Sequence, residues 1–121
     1  MDLPDLIALC LSLPDVEEST PFGPDVLVYK THGKIFALTQ PDSFPVTVNL
    51  KCDPARAETL RETYPGKIVP GYHMNKRHWN TVKLDGSLPP ALIPELVRHS
   101  YLLVAPKAKR PKSQPRSGNP R

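Results

Sequence analysis

The apolar positions change period along the chain, and those changes outline its elements. Leu3, Leu6, Ile7, Cys10 and Leu13 recur at helical spacing. Asp2 stands ahead of them as a cap and Pro4 falls in the first turn, where a missing N–H costs nothing. This predicts a first helix over residues 3–13, closed by Pro14. The next segment, DVEESTPFGP, sustains no period and predicts a loop, with Phe22 tucked against the core as an anchor. From Val26 the period falls to two. Val26 and Val28 alternate with Leu27 and Tyr29, and Ile35, Ala37 and Thr39 with Phe36 and Leu38, so that Thr31–Lys34 reads as the turn of a hairpin. A third strand, residues 46–50, follows a connection whose prolines keep it out of any central ladder.

Asp53 and Pro54 then open a second helix with the buried stripe Ala57, Leu60 and Tyr64, stopped by Pro65 and Gly66. Residues 67–69 predict a short strand, and Trp79, Thr81, Val82 and Leu84 a longer one. Asp85 and Gly86 turn the chain into a third helix beginning near Pro89 or Pro90. Its buried face is Ile93, Leu96, Val97, Ser100, Tyr101 and Val104, with Pro94 in the first turn or at a kink. The order α-β-β-β-α-β-β-α predicts one α+β domain over residues 1–105, with helices packed on an antiparallel sheet. From Pro106 the chain carries prolines, small polar residues and cations alone, which predicts a disordered basic tail over 106–121.

Charge alters this picture in one respect. The chain of 121 residues carries a formal net charge of +4, yet six cations and no acid lie beyond Ala105. The remainder holds ten cations against twelve acids, so the folded body is slightly acidic and argues against a large nucleic-acid footprint. Cys10 and Cys52 suit a reduced thiol pair better than a disulfide framework. No run of about 18 apolar residues and no leader pattern is present, so a cytoplasmic protein without a membrane segment is expected. No phosphate loop, dinucleotide turn or paired carboxylates occur, so no catalytic residue or cofactor is assigned and a non-enzymatic protein is expected. His73 and His78, five apart, with a distant Cys52 fall short of a zinc ligand set, so no metal is expected either.

The densest chemistry lies in PGYHMNKRHWNTV, residues 70–82, which joins the only tryptophan to two histidines, two amides and adjacent lysine and arginine. Together with LSLPDVEESTPFG, GKIFAL, VNLKCDP, LDGSLP and HSYLLV, in this order, it resembles the MmcQ/YjbR family over about residues 3–107. The resemblance implies an α+β sandwich similar to the secretion-chaperone-like and CyaY-like architectures, and a DNA-binding role through two β-hairpin wings. Lys30, His32 and Lys34 supply candidate DNA contacts on the first wing. His73, Asn75, Lys76, Arg77 and His78 supply them on the second. The plainer reading of these groups is solvated surface. Trp79 and Tyr101 are expected as structural anchors, Trp79 largely buried and His73 or Asn75 bracing the loop before it. A protein-interaction module, with a protein partner or a second copy of the chain, or a small-ligand pocket beside the Tyr72–Trp79 loop is the alternative with no nucleic-acid role.

Overall fold

The computed structural model describes residues 1–106; the segment expected to be a disordered tail lies, beyond Pro106, outside the described residues. The elements are α1 (Leu3–Ser12), β1 (Val16–Ser19), β2 (Leu27–Thr31), β3 (Lys34–Thr39), β4 (Thr47–Lys51), α2 (Pro54–Thr63), β5 (Ile68–Pro70), β6 (Trp79–Lys83) and α3 (Leu92–Val104). The strands form one antiparallel sheet in the order β1-β2-β3-β4-β6-β5. The fold is α+β, with the helices packed on a single face of that sheet.

Helix starts follow the local chemistry. Asp2 accepts the Asp5 N–H at 2.9 Å while the Asp5 carboxylate takes the Asp2 N–H at 3.4 Å, which closes a capping box. Asp53 accepts the Arg56 N–H at 3.1 Å with Pro54 at the first position of α2. In α3, Pro94 falls in the first turn, where no intrahelical donor is lost.

Two expectations need correcting. Residues 15–24 are not loop throughout, because Val16–Ser19 pairs as an edge strand with β2, and Glu18 accepts the Tyr29 hydroxyl at 2.6 Å. The two acids in this short strand obscured its period, and on a sheet edge they suit solvent well. Phe22 is no core anchor either, being 62 % exposed at the tip of the β1–β2 connection.

Alternation assigns the residues of the sheet to its two faces. Leu27, Thr39, Val48, Val82 and Ile68 form one row across five strands on the helix side, beside the row Tyr29, Ala37, Leu50 and Asn80. Leu6, Cys10, Ala57, Leu60, Ile93, Leu96, Val97 and Tyr101 close over them from the helices. Phe36 meets Tyr101 edge-on at 5.4 Å, and the Tyr101 hydroxyl donates to the Pro14 carbonyl at 2.7 Å. The opposite face carries the intervening row Ser19, Val28, Leu38, Asn49, Thr81 and Val69, which no helix covers.

Candidate functional site

Antiparallel order fixes where the loops emerge. The turn between β2 and β3, at His32 and Gly33, and the connection from β5 to β6, residues 71–78, leave the sheet at the same end. Three strand spacings separate them, or about 14 Å. Both sets of predicted cations therefore share one end of the molecule.

Their surroundings differ. Lys34 and Arg77 are exposed, and neither side chain makes a hydrogen bond or ion pair among the described residues. Lys30 is half-buried and stands opposite Glu17 in the ladder. His32, at φ +50°, lies 3.5 Å from Asp15. Lys76 turns inward and donates to the Gly71 carbonyl at 3.0 Å, and Asn75 Oδ1 accepts the Arg77 N–H at 3.0 Å. Both brace the loop from within. His78 is half-buried, and its carbonyl takes the Cys52 N–H at 2.8 Å, extending the β4–β6 pairing by one bond.

Arg61 of α2 clamps this loop from the helix side. Its Nε donates to Asn80 Oδ1 at 2.7 Å, and one terminal nitrogen reaches the Lys76 carbonyl and, at 3.3 Å, that of Trp79. Gly71 is required here for space, since a Cβ would lie 2.7 Å from the Trp79 Cβ and 3.0 Å from its carbonyl oxygen. Trp79 falls between buried and exposed, its place in β6 alternating with Asn80 and turning its side chain to the face without helices.

A feature that composition did not signal lies on that face. Residues 71–74 fold back across the sheet, held by the Tyr72 N–H donating to Thr81 Oγ1 at 2.9 Å, while Thr81 in turn donates to Asn49 Oδ1 at 2.5 Å. With the β1–β2 and β3–β4 connections they enclose two adjoining hollows of about 300 and 330 Å³. Leu38, Gln40, Asn49 and Tyr72 line both. Phe22, Val26, His73 and Met74 border the first; Ser43, Pro45, Thr47, Val69 and Thr81 the second. No lysine, arginine, aspartate or glutamate is among them. The exposed aromatic side chains Phe22, Phe44 and Tyr72, at 62, 98 and 67 %, each sit on one of the three bordering loops. His73 holds φ +60° with its ring 4.0 Å from that of Tyr72. Only alternation could have pointed to the floor, and nothing in the sequence pairs the three loops.

Deep burial accounts for the titration behaviour on the helix side. It pushes the Cys10 thiol up to about 12, helped by Glu18, and also raises Cys52. His99 is lowered by burial, with Arg56 adding to the effect, and its Nε2 accepts the Asp53 N–H at 3.2 Å in the neutral form. No group of three or more His, Cys, Asp or Glu that could hold a metal occurs among the described residues.

A single antiparallel sheet with helices on one face and a loop-rimmed hollow on the other defines a small α+β protein. The chain belongs to the YjbR family, whose model matches residues 11–103. It is 41 % identical over 111 residues to a relative named uncharacterized protein YbdF from Escherichia coli O157:H7, covering 91 % of this chain and 90 % of the relative. To uncharacterized protein YjbR of Escherichia coli K12 the identity is 36 % over 101 residues, or 84 % of this chain and 85 % of the other. Among solved structures, Deinococcus radiodurans protein DR2400 superposes with a TM-score of 0.83 at 44 % identity, over 90 % of this chain and 85 % of that one. A Pseudomonas syringae protein gives 0.74 at 28 % identity, over 87 % of this chain and all of its own length.

Proposed function

We propose that this chain is a non-enzymatic, cytoplasmic DNA-binding protein that presents the His32–Gly33 turn and the 71–78 loop as paired wings. The observation carrying the proposal is their emergence at one end of the sheet, with Lys34 and Arg77 exposed and unengaged among the described residues. The strands that carry the two loops lie about 14 Å apart in the sheet, on the scale of a groove about 12 Å wide flanked by phosphates. The basic segment 106–121 adds contacts of no sequence preference. Asp15 and Glu17 beside the first tip keep the field modest, so the folded body is expected to bind weakly, with a salt slope set by the few phosphates its cations meet.

The test is an amide-resolved NMR titration of the full chain with a short DNA duplex at moderate salt. Shifts are expected at residues 31–34 and 71–78. The double change Lys34→Ala, Arg77→Ala should reduce the salt slope by about two. Shifts confined to residues beyond Pro106, or none, would refute the wing reading. The hollow on the helix-free face favours a second reading, a ligand-binding module, which an absence of shifts with DNA leaves standing.

A further inference from the structure

The helix-free face is built like a receptor for one flat, uncharged ring. We infer that it takes up an unpaired base from single-stranded nucleic acid. This rests on the nucleic-acid reading for the source of the base, though not for the pocket itself.

Three observations lead there. The lining carries no formally charged Asp, Glu, Lys or Arg, so an ionic metabolite or a phosphate entering it would be desolvated without a counter-charge. Its polar side chains are amides, hydroxyls and the His73 imidazole. Asn49 spends its Oδ1 on Thr81 and leaves its amide N–H₂ without a partner among the described residues, and the Gln40 side chain makes no bond among them. A neighbouring donor–acceptor pair of this kind matches the edge of a base. The exposed rings Phe22 and Tyr72 both line the first hollow, giving stacking faces of the kind on which unpaired bases are held.

The source is a strand, since Met74 at the pocket wall and the exposed Arg77 belong to one loop and lie three residues apart. The chain between them spans at most about 11 Å. Arg77 itself borders the α2 side with Ala55, Glu58 and Arg61, so a strand seated in the hollow meets it only where its backbone rounds the end of the sheet, a contact a free base lacks.

The experiment uses fluorescence anisotropy of the full chain with a labelled short oligothymidylate, the same strand made abasic, the matched duplex, and thymidine as competitor. The oligothymidylate is expected to bind and its abasic form to bind at least 5-fold more weakly. Tyr72→Ala, at an exposed position, should weaken it by about 5- to 150-fold with the melting temperature unchanged. Gln40→Ala provides a second exposed variant, expected to weaken the strand but not its abasic form. Equal binding of the abasic strand overturns the inference. So does thymidine competing as strongly as the strand, which would assign the pocket to a free small molecule, or self-association of the chain that buries Tyr72. Tight duplex binding untouched by Tyr72→Ala refutes the pocket and leaves the wings standing, whereas failure of both duplex and strand removes both readings.

Discussion

Replacing Ser100 with alanine removes a hydroxyl that substitutes for a missing rung of the sheet. Pairing of β3 with β4 ends at Ala37 and Leu50. One residue further on, the Ser100 hydroxyl of α3 donates to the Phe36 carbonyl at 2.5 Å and accepts the Lys51 N–H at 2.9 Å, with Ser100 wholly buried. Alanine leaves both backbone groups without a partner. Each such group costs about 1–3 kcal/mol, so the ceiling is about 6 kcal/mol. Partial approach of the two strands recovers some of that, and a loss of about 2–4 kcal/mol is expected. Against a typical stability of about 5–15 kcal/mol this is a large fraction. At about 4–8 °C per kcal/mol, the melting temperature should fall by about 8–32 °C. Urea unfolding followed by circular dichroism would give the free energy, with an unchanged slope confirming that the native and unfolded surfaces are the same. Ser12→Ala serves as control, because its hydroxyl bonds the Leu9 carbonyl at an exposed helix end. If Ser100→Ala cost no more than this control, the bridging role assigned to the hydroxyl would be wrong.

Gly71→Ala should destabilise by about 1–3 kcal/mol through the clash with Trp79, and shift the Trp79 fluorescence; an unaltered spectrum and midpoint would contradict the close approach described. Acid should weaken the fold through two groups whose native pKa lies below the unfolded value, so the unfolded chain binds more protons and stability falls with falling pH. For His99 the decline starts below its ordinary 6.5, and for Glu95, held down by its paired hydrogen bonds from Arg56, below 4.5. Replacing Glu95 by Gln should flatten the lower limb and, by removing a charge that favours protonated His99, lower the His99 pKa further, which pH-dependent urea midpoints would reveal. Cys10 and Cys52, both buried with raised pKa, should resist a thiol reagent in the native protein at neutral pH and react on unfolding; prompt native labelling would mean that the core opens locally.

Much of the architecture was legible because local chemistry and period agreed. Asp2 and Asp53 announced their helices, the alternation from Val26 to Thr39 announced the first hairpin, and Ser100 already fell on the buried face of α3. β1 was missed because a four-residue edge strand with two acids is decided by its partner β2 rather than by its own pattern. The stretch 70–82 was conspicuous for its cations and aromatics, yet Lys76, Asn75 and Arg61 turn out to knit the loop, a division of labour that depends on which carbonyls face which side chains.

The amino-acid sequence by itself determined the helices, most strands, the acidic body and the family, since these depend on neighbours a few residues apart. Only the tertiary structure decided that Phe22 and Tyr72 meet around Leu38 and Asn49, and that Lys34 and Arg77 share an end of the sheet. Strand order and register set those encounters, and both are fixed by burial of the helix-side rows, so the opposite face inherits its arrangement from contacts it does not itself make.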